Sequence, residues 1–338
     1  MLSLLSTILM SAQVLQAQTP ASVANKPSAT DDDVVRVDTN LITVLASVVD
    51  RTGRYVSNLS KGDFRIYEDG VEQEIAFFAP VEQPFTIAFL LDMSSSTHSQ
   101  IEEIRDAANV FLSRLRPNDR LLVVSFDAAI NVVAETASVR EIRTDTLLLK
   151  SVSNGTRLYD TIDFVLKERF NKIPGRKAIV LFTDGVDNNS RVAYTQSLRD
   201  IDETDVLIYP IQFDTSAGMR ELVARAKKDC ERRGWMGCNA RVGHPSREEY
   251  KRAESYLKGL AQKTGTRVYL ANDRSNLAQA FTSITEDLSK QYSLGYYPGA
   301  LLRAGQRRQI KVRVPSLDLI VRARGDYVVG ATTTKQPR

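Results

Sequence analysis

The sequence predicts an α/β protein in which a doubly wound, mostly parallel sheet is inserted into a small immunoglobulin-like β-sandwich. Between residues 84 and 290, apolar stretches of strand length alternate with amphipathic helical segments, as expected for strand–helix–strand crossovers. In residues 34–80 and 291–328, apolar residues instead recur at every second position, which is typical of strands with one buried face. We therefore expect the two flanking segments to pair into one sandwich.

The chain begins with MLSLLSTILMSAQVLQAQTP, an apolar stretch followed by small and polar residues, which favours an export signal over residues 1–17. No basic residue precedes this stretch, so an uncleaved anchor or a start farther upstream stays open. Residues 18–33 are rich in Ala, Ser, Thr, Pro and Asp and are expected to form a linker. No later stretch reaches the roughly 18 apolar residues of a membrane span. We expect a soluble mature protein, periplasmic or secreted.

The flanking segments carry turn signals between their predicted strands. In residues 34–80, VVRVDTNLITVLASVVD is followed by a turn at Arg51–Gly53, and Glu68-Asp69-Gly70 between apolar runs is a hairpin signal. Residues 291–328 repeat the alternation in YSLGYY, RQIKVRV and LIVRARGDYVV. The tyrosines of this second segment are expected to pack where the last helix joins the sandwich, rather than to form a binding patch: Tyr292, Tyr296 and Tyr297.

The α/β segment is expected to contain parallel strands and one antiparallel edge strand. Three of the strands are nearly unbroken apolar runs, as is usual where helices cover both faces of a sheet. The predicted strands are Phe85–Leu91, Arg120–Phe126, Lys177–Phe182, Asp205–Phe213 and Thr266–Leu270, with Asn131–Thr136 at the antiparallel edge. Apolar residues at helical spacing predict helices over residues 99–116, 159–170 and 276–288.

Residues 214–251 form a charged segment that is longer than a strand-to-helix connection needs, and we expect an insertion at the rim of the sheet. It contains both cysteines of the chain, Cys230 and Cys238. In an exported protein such a close pair predicts a local disulfide. A redox pair or metal site is disfavoured, because the spacing is not Cys-x-x-Cys and no further Cys or His cluster completes a metal shell.

The charge of the chain argues against nucleic-acid and membrane-surface partners. Its 45 basic and 41 acidic residues are spread along the whole sequence and leave a formal charge of +4. Proteins that bind nucleic acids or anionic membranes concentrate their basic residues in a patch. Mixed charge of this kind is typical of a solvated surface.

Oxygen-bearing side chains follow two of the predicted parallel strands. Asp92, Ser94 and Ser96 come after the first strand, and Asp184 follows the strand that ends at Phe182. A third loop supplies Thr156 just before a helix. Because ligands of open α/β sheets bind beyond the carboxyl ends of the strands, we expect these side chains to meet at one edge.

The five side chains offer carboxylates and hydroxyls but no thiol or imidazole pair. Such a set suits a hard divalent cation, Mg²⁺ in first place, with Ca²⁺ or Mn²⁺ left open. Because the hydroxyls are neutral, the bound cation stays electrophilic, and Mg²⁺ requires octahedral coordination by oxygen. A carboxylate from outside the chain could complete the shell. The residues therefore favour adhesion over catalysis.

The order Asp92-x-Ser94-x-Ser96, then Thr156, then Asp184-Gly185 resembles the metal-ion-dependent adhesion site of the von Willebrand factor A family, which has a Rossmann-like fold. The resemblance covers about residues 84–290. It implies that the serines bind the metal directly, that the threonine binds in the ligand-competent state, and that the aspartates bind directly or through water. It also implies a cell-adhesion or protein-binding role with an acidic partner residue on the metal.

The flanking β segments and the export signal are similar, more loosely, to secreted bacterial proteins of this family. That similarity implies the architecture and a place outside the cytoplasm, and it names no partner. The segment around Cys230 departs from a minimal domain of the family, so the docking surface of a known partner is not transferred to this chain.

Other interpretations of the same residues stay open. The serines could simply cap a helix, Asp184-Gly185 and residues 187–189 could be turns, and the domain could be a scaffold with an idle metal site. A magnesium-dependent aspartyl phosphotransferase or phosphatase also starts with an Asp after the first strand, but it needs a second carboxylate where this chain has Ser94. His98 beside Ser96 does not make a hydrolase, because no Gly-x-Ser-x-Gly elbow is present. We expect no enzymatic activity.

Overall fold

The computed structural model describes residues 41–80, 84–94, 101–139, 155–213, 245–271, 274–299 and 302–329, together with Thr215 and three single residues after it. The predicted signal and linker, Ser96 and the cysteine pair lie outside the described residues. The described ranges include the strands and helices on which the predicted site depends.

Within these ranges the strands, in chain order, are β1 (Ile42–Asp50), β2 (Arg65–Glu68), β3 (Val71–Gln73), β4 (Ile75–Pro80), β5 (Phe85–Asp92), β6 (Arg120–Phe126), β7 (Ile130–Ser138), β8 (Arg176–Thr183), β9 (Leu207–Gln212), β10 (Tyr269–Leu270), β11 (Gln291–Tyr296), β12 (Arg307–Arg313), β13 (Leu319–Ala323) and β14 (Asp326–Val328). The α-helices are α1 (Ile101–Arg114), α2 (Leu158–Phe164), α3 (Tyr194–Asp202), α4 (Arg247–Thr264) and α5 (Arg274–Ser289).

The α/β part is built on a sheet with the strand order β10-β9-β8-β5-β6-β7. All neighbours in it are parallel except β7, which runs antiparallel to β6 at the edge, as predicted. The chain moves from β5 to β6 on one side and later returns to β8 on the other side of β5. The direction of winding therefore reverses at β5, and the crevice beyond the ends of β5 and β8 is the expected ligand site of such a sheet.

Helices cover both faces of this sheet, which explains the unbroken apolar sequence of β5. On one face, α1 and α5 pack Phe111 and Phe281 against Phe89 of β5. On the other face, α2, α3 and α4 contribute a second buried cluster that includes Tyr256 and Leu260. Every residue of β5 is buried. The predicted doubly wound α/β sheet is thus confirmed.

Helices α3 and α4 have no counterpart in the sequence prediction, and α4 begins inside the predicted insertion. Helix α4 was not predicted because its sequence, REEYKRAESYLKGLAQKT, has few apolar residues, and these are separated by charged ones. Its ends nevertheless carry clear signals. Ser246 and Glu249 form a capping box, and Gly265 ends the helix at a φ of 77°. The predicted strand Thr266–Leu270 is in turn reduced to Tyr269–Leu270.

The flanking segments form two four-stranded sheets, β13-β1-β11-β4 and β14-β12-β2-β3. Strand β1, before the α/β part, pairs antiparallel with β11, which follows it. Both sheets contribute to one buried cluster that includes Phe64, Tyr292, Tyr296 and Ile310. The hairpin at Asp69-Gly70 is confirmed, with φ values of 47° and 85° that match a type I′ turn. The immunoglobulin-like classification stays a prediction.

Charged and glycine contacts join the two parts of the chain. Asp202 at the end of α3 accepts hydrogen bonds from Lys263 of α4 and from Arg307 of β12. A Cβ placed on Gly265 would stand 2.6 Å from the backbone of Ala323 and Arg324, so β13 passes directly over the end of α4. The domain limits predicted from the sequence stay predictions. None of the helices in the described ranges is long and apolar enough to cross a membrane.

Candidate functional site

Asp92 is the last residue of β5, and its carboxylate is fully buried at 0% exposure. Its Oδ1 accepts a hydrogen bond from the backbone N–H of Ser94 at 3.0 Å, which fixes the turn that leaves the strand. Its Oδ2 accepts a hydrogen bond of 2.6 Å from the hydroxyl of Thr183 at the end of β8. The two neighbouring strands therefore end in one hydrogen-bonded unit.

Asp184 follows β8 and lies at the same edge of the sheet. Its Oδ1 accepts from the N–H of Val186 at 3.0 Å, and its Oδ2 accepts from the hydroxyl of Thr215 at 2.8 Å. Gly185, at a φ of 85°, turns the chain directly after the carboxylate. A Cβ on Gly185 would approach Leu257 of α4 to 2.9 Å, so both the backbone conformation and the packing require glycine here.

Thr156 is brought to this edge by backbone hydrogen bonds. Its carbonyl accepts from the N–H groups of Asn188 and Asn189, and its own N–H donates to Oδ1 of Asn188 at 2.8 Å. Asp187 accepts from the N–H of Tyr159 at the start of α2. The segment after Asp184, which the sequence suggested to be a turn, is therefore also what holds the Thr156 loop.

The site places two carboxyl groups, those of Asp92 and Asp184, where solvent is excluded. Burial, followed by the nearby charge of Asp184, raises the pKa of Asp92 to about 7. The hydrogen bonds described above for the two carboxylates come from backbone N–H groups and hydroxyls, which are neutral donors. Two buried carboxylates held by neutral donors are an arrangement that a divalent cation would stabilise, so the residues fit the predicted metal.

The structure brings four of the five predicted residues to one edge of the sheet, all of them at most 4% exposed: Asp92, Ser94, Thr156 and Asp184. Ser96 lies outside the described residues. In the described part of the chain, no three His, Cys, Asp or Glu side chains form a metal cluster. The described residues of the motif offer two carboxylates, Asp92 and Asp184, and two hydroxyls, Ser94 and Thr156. Their assignment as metal ligands stays a prediction.

Two residues of the site, Thr183 and Thr215, were not predicted from the sequence, and a third, Asn188, was assigned only to a turn. Thr183 bridges the two strand ends, because its hydroxyl donates to Asp92 and accepts from the N–H of Gly185 at 2.9 Å. Asn188 holds the Thr156 loop, and Thr215 contacts Asp184. Thr183 and Asn188 stand within four residues of Asp184, so their sequence positions could have indicated them. Thr215 lies 31 residues farther on, and only the fold shows its place.

Comparison with protein families gives one match, in which residues 86–233 fit the von Willebrand factor type A domain. No curated protein matches the sequence significantly. Similar solved structures include proximal thread matrix protein 1 from the mussel byssus with a zinc-occupied MIDAS motif, at 14% identity and a TM-score of 0.46 over 65% of this chain and 49% of that one.

Two bacterial structures are also similar. A von Willebrand factor type A protein from Catenulispora acidiphila matches at 10% identity and a TM-score of 0.44, over 87% of this chain and 75% of that one. The PilB minor pilin from Streptococcus sanguinis matches at 11% identity and a TM-score of 0.42, over 63% of each chain. This chain spans about half the length of the mussel protein. At these identities and TM-scores, none of the three bears on the function of this chain.

The family match covers the strands β5 to β9, which include the ends of β5 and β8 and the Thr156 loop. The order of the motif in the sequence and the meeting of its described residues at the switch point of the sheet agree with that match. Residues 86–233, which include the described residues of the motif, therefore match the von Willebrand factor type A domain.

Proposed function

We propose that this protein is a divalent-cation-dependent adhesion module that binds a protein partner outside the cytoplasm. Asp92, Ser94, Ser96, Thr156 and Asp184 would hold the cation, with Mg²⁺ as the first choice. The cation supplies an electrophilic position that an acidic side chain of the partner would complete. The observation that supports this best is the pair of buried carboxylates, Asp92 and Asp184, held by neutral donors at the switch point of the sheet.

The same geometry argues against the phosphotransferase alternative. An aspartyl nucleophile must be accessible to its substrate, whereas the side chain of Asp92 is fully buried. The acid/base carboxylate that such an enzyme needs two residues later is replaced by Ser94. We therefore propose a binding role without catalysis.

We also propose export, on the strength of the apolar N-terminal stretch, and an immunoglobulin-like sandwich that carries the adhesion domain. The sandwich is supported by the pairing of β1 with β11 and by the buried cluster that the two four-stranded sheets share. The β strands on either side of the α/β part would then act as the base from which the cation site is presented.

A pull-down with the full chain as bait tests the proposal. The source is an extracellular fraction, and the binding is compared in Mg²⁺ and in a chelator. We expect partners that are retained in Mg²⁺ and lost in the chelator, and that are also lost with Asp92→Ala. Asp163→Ala serves as the matched control, because the partly buried Asp163 pairs with the exposed Lys167 and does not belong to the metal motif. Retention of every partner in the chelator would contradict the proposal and favour a scaffold with an idle metal site.

A further inference from the structure

Two residues outside the metal motif reach the proposed cation site through hydroxyl groups. Thr215, which follows β9 and is 7% exposed, donates a hydrogen bond of 2.8 Å to Oδ2 of Asp184. The hydroxyl of Tyr250, in the first turn of α4, stands 3.1 Å from the hydroxyl of Thr215. The hydroxyls of Tyr250 and Thr215 and the carboxylate of Asp184 thus form a hydrogen-bonded series that starts on α4.

Which hydroxyl donates in each of these hydrogen bonds follows from the number of protons that each hydroxyl carries. A threonine hydroxyl has one proton, and Thr215 directs it at a carboxylate oxygen, which accepts. The contact between the two hydroxyls is then a hydrogen bond only if Tyr250 donates. Donation by Tyr250 polarises the hydroxyl of Thr215 and makes it a stronger donor to Asp184.

This arrangement fixes the carboxylate without neutralising it. Val186 donates to Oδ1 of Asp184 and Thr215 donates to Oδ2, so rotation of the carboxylate plane would break one of the two bonds. A carboxylate oxygen has two lone pairs, so accepting one hydrogen bond does not by itself prevent it from binding a cation. A Lys or Arg in the place of Thr215 would orient the carboxylate equally well but would oppose the cation by its charge.

We infer that Thr215 and Tyr250 are positioning residues of the cation site, which hold Asp184 in the orientation that binds the metal. The inference rests on the proposed function, because it assumes that Asp184 is a ligand. Groups that orient metal ligands typically change metal affinity by about 10- to 100-fold when they are removed. The inference adds two residues from separate elements, α4 and the segment after β9, to the five of the motif.

The test is a titration of the full chain with Mn²⁺ in place of Mg²⁺, followed by the electron paramagnetic resonance signal of the free ion. Thr215→Val keeps the shape but removes the hydroxyl, and we expect it to weaken binding about tenfold. Thr215→Ser keeps the hydroxyl and should restore most of the affinity. Tyr250→Phe should weaken binding by about threefold, the effect of one lost neutral hydrogen bond.

Tyr256→Phe is the matched control for Tyr250→Phe. Tyr256 lies on the same helix, and its hydroxyl shares a bond of 2.6 Å with that of Ser197, which does not belong to the metal motif. We expect this variant to bind Mn²⁺ as the native protein does. If Thr215→Val does not fold, as judged by circular dichroism, the positioning role is tested by comparing the Mn²⁺ affinities of Tyr250→Phe and Tyr256→Phe.

The measurements distinguish failure of the positioning role from failure of the proposed cation site. Native affinity in both Thr215→Val and Tyr250→Phe, with binding lost in Asp184→Ala, would overturn the positioning role and leave the proposed cation site intact. Absence of Mn²⁺ binding by the native chain, or native affinity in Asp184→Ala, would instead refute the cation site itself.

Discussion

The hydroxyl of Thr183 and the carboxylate of Asp92 join the ends of β5 and β8, so two side chains hold together the edge of the sheet at which the predicted site lies. Asp92, Ser94 and Asp184 were predictable because each follows an apolar strand, and parallel strands end at one edge. The contact of Thr183 with Asp92 depends on the register of β5 against β8, in which Leu91 stands opposite Phe182. Register between distant strands is not visible in a single sequence.

Replacement of Gly185 is expected to lower the stability of the protein. Gly185→Ala places a β-carbon on a residue with a φ of 85° and against Leu257, 2.9 Å away. We expect a loss of about 1–3 kcal/mol in the free energy of unfolding, measured in urea, together with weaker Mg²⁺ binding. Gly175→Ala is the control, since Gly175 has a φ of 86° with open space around its Cβ position. An equal loss in both variants would show that the packing against α4 is unimportant.

At the scale of elements, buried strands were easier to predict than charged helices. The strands β5, β6 and β8 are apolar over most of their length, because both faces are covered. Helices α3 and α4 bury only a narrow stripe, and their charged residues conceal the helical period. The Ser246 and Glu249 capping box at the start of α4 was the signal that could have revealed it.

The capping box predicts a measurable effect on stability. The hydroxyl of Ser246 accepts the N–H of Glu249 at 3.2 Å, and Ser246→Ala leaves that donor without its cap. We expect a loss of about 1 kcal/mol in the free energy of unfolding. Ser113→Ala in α1, where the hydroxyl bonds only to the carbonyl of Val110 among its described contacts, should be neutral. An unchanged stability of Ser246→Ala would contradict the assignment of this cap.

At the scale of the whole molecule, the sequence pattern predicted that the two flanks would be β segments but not how they meet the α/β part. Strand β11 starts at Gln291, directly after α5 ends at Ser289, and pairs with β1 from the other flank. The contacts around Asp202 and Gly265 join residues far apart in the sequence and have no local signature. They became visible only in the assembled fold.

Asp202 makes this junction sensitive to acid. Burial opposes ionisation of Asp202, but hydrogen bonds from Arg307 and Lys263 outweigh it, so the pKa of Asp202 is lowered. A lowered pKa in the folded state contributes stability above the unfolded pKa of about 4, and this contribution disappears as the pH falls through the folded value. We therefore expect the contact of Asp202 with Lys263 and Arg307 to stabilise the fold at neutral pH and to contribute less in acid.

Asp202→Asn tests this dependence by thermal unfolding at neutral and acidic pH. At neutral pH we expect it to be less stable than the native chain by about 1–3 kcal/mol, and the difference should shrink below about pH 4. Asp200→Asn is the control, because its ion pair with the exposed Lys167 should contribute at most about 1 kcal/mol. A difference between Asp202→Asn and the native chain that does not vary with pH would count against the ion pair.

Calorimetric titration of the full chain with Mg²⁺ measures whether Asp92, Asp184 and the neighbouring hydroxyls hold a cation. We predict one saturable site in the native protein and no measurable binding in Asp92→Ala or Ser94→Ala. Both variants should stay folded, because Asp92→Ala removes a buried charge that Asp184 already opposes, and Ser94→Ala removes a single hydroxyl. Unchanged Mg²⁺ affinity in these two variants would contradict the assignment of the site.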